Sequence, residues 1–118
     1  MLRILLFSLI IVTTYSCEET IFEPDISEDA VSILAPVDGV TIDNETTRFS
    51  WNGIDGATEY RIQVATPNFE NATQILTDSV VDQFSLEIRL SSGSYQWRVR
   101  AQNSGHQTPY TTATFTVE

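Results

Sequence analysis

Leu90-Ser91-Ser92-Gly93-Ser94-Tyr95-Gln96-Trp97-Arg98-Val99-Arg100-Ala101-Gln102-Asn103 is the stretch that decides the fold. Tyr95, Trp97, Val99 and Ala101 alternate with Gln96, Arg98, Arg100 and Gln102. A period of two puts the first set on one face of a strand and the second set on the other. Ser91-Ser92-Gly93 on one side and Asn103-Ser104-Gly105 on the other supply the turns that bound it.

The same period recurs on both sides of this run. Phe49 and Trp51 oppose Arg48 and Ser50; Tyr60, Ile62 and Val64 oppose Glu59, Arg61 and Gln63. Phe84, Leu86, Ile88 and Leu90 alternate with Gln83, Ser85, Glu87 and Arg89, and Ala113, Phe115 and Val117 alternate with threonines. Val31 to Leu34 and Ile75-Leu76 are two weaker strands. Pro36-Val37-Asp38-Gly39, Asn52-Gly53, Asp55-Gly56 and Pro67-Asn68 are the turns between them. No window of helical period competes. Seven short strands over residues 31–118 predict an all-β sandwich of antiparallel sheets.

The residues that carry this pattern also resemble those of a known family. Phe49-Ser50-Trp51, Gly56 to Val64 and Leu90 to Asn103 are similar to the fibronectin type III domain. The resemblance implies that Trp51 is the core tryptophan of strand B and Tyr60 the tyrosine of strand C. Leu90 and Tyr95 would form the tyrosine corner that leads into strand F. The Gly93-to-Tyr95 spacing is similar to the form found in bacterial surface lipoproteins. The implied topology places the B–C and F–G loops at the end where strand A begins.

Upstream of the strands the chain changes character. Met1-Leu2-Arg3 gives a positive start, Ile4 to Val12 is a nine-residue apolar run, and Cys17, the only cysteine, closes the segment. Nine residues make roughly 14 Å of helix, too short for a hydrocarbon core of about 30 Å. The pattern is that of a secretory signal over residues 1–16. Ser16-Cys17 resembles the lipobox of bacterial lipoproteins, which implies cleavage before Cys17 and its acylation. The alternative reading is ordinary secretion with a free thiol. Acyl chains contribute about 0.8 kcal/mol per buried CH₂, so two or more moor a protein stably to a bilayer.

Residues 18–30 hold six acids in thirteen positions and no base, with Pro24 against a helix. With Cys17 they form an expected acidic linker, 17–30, ahead of the domain at 31–118. Fully extended, thirteen residues reach on the order of 43 Å. Glu18 and Glu19 resemble the export tail of surface-exposed Bacteroidota lipoproteins; a merely solvating stretch accounts for them equally. The expected location is a bacterial outer membrane, lipid-anchored, at the cell surface, with the periplasmic face as the alternative.

Charge and composition narrow the function. Six Arg, no Lys and sixteen acids give a net charge of −10, and removal of residues 1–16 takes away Arg3 alone and leaves −11. Nucleic acid is an unsuitable partner for such a surface. His106 is the only histidine, and nothing in the sequence orients it toward a serine and an acid as a hydrolytic triad requires. Asp38, Asp43, Asn44 and Glu45 do not follow the calcium-loop spacing. No enzyme activity, cofactor or metal site is expected.

The candidate binding residues lie outside the core pattern. Arg61, Arg98 and Arg100 fall on the outward face of strands C and F, as a patch for an anionic partner or glycan, or as ion-pair partners of Glu59 and loop acids. Asn52 and Asp55 in the B–C loop and Asn103, His106, Gln107 and Tyr110 in the F–G region could contact sugar. Tyr110 could equally pack against strand G. Asp78-Ser79-Val80 resembles a Bacteroidota O-glycosylation motif, with Ser79 as acceptor. The resemblance to a lipoprotein that carries one fibronectin type III domain implies a membrane-anchored, non-catalytic interaction or adaptor module, an accessory to an envelope protein complex. The second reading is a glycan-binding or spacer component of a polysaccharide-uptake system.

Overall fold

The computed structural model describes residues 23–43 and 45–118; the signal segment and Cys17 lie outside the described residues. The strands are β1 (Ile33–Ala35), β2 (Val40–Ile42), β3 (Thr46–Trp51), β4 (Glu59–Thr66), β5 (Gln74–Val81), β6 (Ser85–Arg89), β7 (Gly93–Gln102) and β8 (Thr111–Val117). They form two sheets, β1-β3-β6 and β2-β8-β7-β4-β5, packed face to face. The apolar member of each alternating pair faces the gap between them, as the period of two requires.

The eight strands among the described residues exceed the expected seven, and the first strand accounts for the difference. β1 pairs antiparallel with β3, whereas β2 pairs parallel with β8, Val40 opposite Phe115 and Ile42 opposite Val117. The arrangement is therefore not wholly antiparallel. Proline has no amide hydrogen for a ladder, so pairing with β3 stops at Pro36. The chain then crosses to the other sheet. Three bonds hold the crossing: Trp97 Nε1 to the Pro36 carbonyl (3.1 Å), Gly39 N to the Thr114 carbonyl (2.7 Å) and Thr114 N to Asp38 Oδ1 (2.8 Å). Ile75-Leu76 is the beginning of an eight-residue edge strand. Phe84, expected to point inward, lies on the rim instead, with its ring edge-on to Tyr60 (5.7 Å) and over Gly53.

The core is a chain of aromatic contacts. Phe49 meets Trp97 edge-on at 5.0 Å and Phe115 at 5.7 Å; Trp51 lies 5.8 Å from Tyr60 and 6.3 Å from Trp97. Offset and edge-to-face geometries match the positive ring edge to the negative ring face. Tyr95 stacks on Phe115 at 5.5 Å and donates its hydroxyl to the Ser91 carbonyl at 2.6 Å. With Leu90 buried beside it, this is the expected tyrosine corner.

The folded body also takes in residues upstream of 31, where an extended linker was expected. Ile26 is 1% exposed and belongs to the core. Pro24 lies against Gly56, whose φ of +89° is left-handed and where any Cβ would come within 2.8 Å of the proline ring. Asn103 Nδ2 ties the two segments by donating to the Pro24 carbonyl (2.8 Å) and the Gly56 carbonyl (3.0 Å). The acidic residues of this segment face water while its one buried isoleucine pins it down. Charge density thus misled the extended reading of residues 23–30.

Candidate functional site

The outer face of β4 and β7 is built by register. Arg61 stands opposite Arg100, Gln63 opposite Arg98 and Glu59 opposite Gln102. Two arginines directly across a ladder repel unless other groups intervene. For Arg61 that group is Asp78 on β5, diagonal to it across the ladder. Arg61 Nε and Nη2 donate to the two Asp78 carboxylate oxygens at 2.9 Å each. The Arg61 hydrogen bonds hold the Asp78 carboxyl down to about 2, with a smaller contribution from Gln63. Glu59, the partner expected from sequence, accepts from the Gln102 amide instead (2.8 Å).

Arg98 and Arg100 are held differently. Arg98 Nε donates to Gln63 Oε1 at 2.7 Å, and its guanidinium carbon lies 4.1 Å from the centre of the Phe69 ring and 4.5 Å from that of Tyr110. The Arg100 guanidinium carbon lies 4.7 Å from the same Tyr110 ring. Phe69 is itself fixed by its backbone N–H donating to Gln96 Oε1 (2.9 Å). Tyr110 therefore bridges two guanidinium groups rather than offering a bare ring. Neither arginine has a carboxylate within 4.0 Å among the described residues, and Arg100 Nε is sealed from water with no acceptor.

At the loop end of this face Asn103 acts as an organiser. Besides its two donated bonds, its Oδ1 accepts from Gly105 N (3.0 Å) and His106 N (2.8 Å). This uses the amide fully, so Asn103 shapes the loop rather than greeting a ligand. His106 Nδ1 lies 3.3 Å from Asp25 Oδ1, which also accepts from the Ser27 hydroxyl (2.6 Å). The Ser27 hydroxyl and amide hold the Asp25 carboxyl below the usual range, with His106 adding a smaller pull. The carboxylate stands between hydroxyl and imidazole, so His106 cannot take the serine proton as a triad requires. Among the described residues no three His, Cys, Asp or Glu side chains converge as a metal site.

The structure brings Arg61, Arg100 and His106 together as lining of one open cleft of about 570 Å³, with Ser27, Gln102 and Gln107. Arg98 and Tyr110 adjoin it through the ring stack. Asn52 and Asp55 are exposed in the β3–β4 loop and do not line it. Ser79 stands apart on β5, half-buried, opposite the fully buried Ile62, and so faces the gap between the sheets. Cys17 lies outside the described residues. Sequence reasoning missed Asp78 as the partner of Arg61 and Phe69 as the second ring. Asp78 required the β4–β5 register, and Phe69 lies in a loop where no period operates.

No protein-family model and no curated protein matches the sequence. Among solved structures the chain is similar to the crystal structure of FN3tt, at 20% identity over 75% of this chain and 95% of that one, with a TM-score of 0.53. It is similar also to the fibronectin(III)-like modules of Clostridium thermocellum CbhA, at 13% identity, with the same coverage of 75% and 95% and a TM-score of 0.53. These likenesses show the fold, a fibronectin type III-like sandwich.

Proposed function

We propose that this chain is a non-catalytic interaction module of a bacterial cell envelope, acylated at Cys17, moored in the outer membrane and facing the cell surface. Fibronectin type III-like domains are commonly interaction or spacer modules. The observation that carries the reading is the pair Arg98 and Arg100, without an ion pair among the described residues and stacked on Phe69 and Tyr110. On a chain of net charge −10, the two guanidinium groups concentrate positive charge on one face. Stacked arginines with open edges suit an anionic partner surface.

The anchor has a geometric consequence. Residues 18–22 separate Cys17 from the packed segment that starts at Glu23, and their contour is at most ~20 Å. An acylated Cys17 would hold the β3–β4 and β7–β8 loops close to the bilayer. The long sides of the sandwich would then be the accessible surfaces. A second reading, glycan capture, is favoured by the open polar cleft beside the arginine stack.

Two measurements test this. Labelled palmitate should enter the wild-type chain and not Cys17→Ser; equal labelling, or none, overturns the anchor. Pull-down from membranes should recover an envelope protein with the wild-type chain and lose it with Arg98→Gln/Arg100→Gln. Recovery as a free monomer after mild extraction overturns the adaptor role.

A further inference from the structure

We propose that the cleft lined by Arg61, Arg100, Gln102, His106 and Gln107 binds a short sugar carrying a single carboxylate, of the uronic acid class, with Arg100 as the anion-binding residue. This deepens the glycan reading above and rests on it.

Arg48, Arg61 and Arg89 each have an acidic partner, at 4.0, 2.9 and 3.5 Å. Arg98 has the Gln63 amide oxygen. Arg100 alone of the described arginines has neither an ion pair nor a hydrogen-bond acceptor among the described residues. Acids outnumber arginines sixteen to six in this chain, so an unpaired guanidinium is not for want of carboxylates. The Tyr110 ring at 4.7 Å fixes its plane, and burial of Nε leaves the other nitrogens as the ones that an incoming group can reach. A fixed, planar, unpaired guanidinium matches the two oxygens of a carboxylate.

The surroundings select the rest of the ligand. Arg61 spends Nε and Nη2 on Asp78 and keeps Nη1. Gln102 spends its amide nitrogen on Glu59 and keeps its oxygen; His106 spends Nδ1 on Asp25 and keeps Nε2. The Gln107 side chain is exposed at the rim. Spare donors and acceptors therefore alternate around one cation, which suits hydroxyls flanking a carboxylate. The cleft, about 570 Å³, has room for one or two sugar rings and is polar and open. Glu59 and Asp25 border it, so a polyanion would be repelled where a single charge is not.

The experiment titrates the full chain in detergent with three probes: a trisaccharide ending in glucuronate, the same trisaccharide ending in glucose, and tetraglutamate. The acidic sugar should bind on the order of tenfold more tightly than the neutral one. Arg100→Gln should abolish that preference, Arg100→Lys should weaken it, and Arg48→Gln on the other sheet should leave it intact. The urea midpoint of each variant checks folding. Equal affinity for both sugars that survives Arg100→Gln overturns the proposal while the glycan reading stands. Binding of neither sugar overturns both. Tetraglutamate bound as tightly as the acidic sugar overturns the sugar assignment in favour of an acidic peptide.

Discussion

The two sides of strand β7 carry aromatic clusters of opposite purpose. On the inner side Trp97 and Tyr95 meet Phe49, Trp51 and Phe115, and every partner is an apolar ring sealed from water. On the outer side Arg98 and Arg100 meet Phe69 and Tyr110, and the partners are cations at half-buried positions. Ring–ring contacts add to the burial of large apolar areas, whereas guanidinium–ring contacts at a wet surface add little to stability. The inner cluster makes the fold; the outer one holds two charged groups in fixed planes.

The largest effect belongs to Trp97→Ala. It removes a fully buried indole and the bond to the Pro36 carbonyl, and should cost about 3–5 kcal/mol by urea unfolding. A loss near 1 kcal/mol would mean that the inner cluster is not the core. Next is Ile26→Ala. If residues 23–30 are part of the body, it should cost about 2–4 kcal/mol and loosen the Pro24–Gly56 contact; a surface tether would lose almost nothing. Tyr95→Phe keeps the ring stack and deletes the bond to the Ser91 carbonyl, for a loss of about 1 kcal/mol. Tyr110→Ala on the outer side should cost below about 1 kcal/mol, despite removing a whole ring, because its partners are cations near water.

The smallest effect is a pH dependence. The folded Asp78 carboxyl sits at about 2 against an ordinary 3.8. A depressed carboxyl favours the folded state above the ordinary value, and the benefit is lost as pH falls from about 4 through about 2. Both partners of this pair are more than a third exposed, 37% for Arg61 and 41% for Asp78, so solvent screening keeps the effect below about 1 kcal/mol. Asp78→Asn should flatten that part of the acid unfolding profile and lower stability at pH 7 by the same amount, below about 1 kcal/mol.

The division between inner and outer faces was legible in the sequence because a period of two is local information. Trp51, Tyr60, Tyr95 and Trp97 all take their expected inward places, and Arg61, Arg98 and Arg100 their outward ones. What stayed hidden depends on partners distant in sequence. The split of the first strand rests on two three-residue strands, too short to show a period, whose sheets are chosen by Trp51 and Phe115. Ile26 sits in an acidic run, and its burial is decided by the β3–β4 loop and by Asn103, 77 positions later in the chain. The pairing of Arg61 with Asp78 follows from the β4–β5 register, which sets Arg61 opposite Val80 and Gln63 opposite Asp78. Tyr110 was visible as a candidate, but its role as a bridge between guanidinium groups is a matter of loop geometry.

The most direct test of the claim that the outer stack serves binding and not folding is Arg98→Gln/Arg100→Gln, followed in parallel by urea unfolding and by recovery of partner from membranes. The predicted result is a stability within about 1 kcal/mol of wild type together with loss of the partner. A stability loss of the size expected for Trp97→Ala, or full partner recovery at unchanged stability, would contradict it.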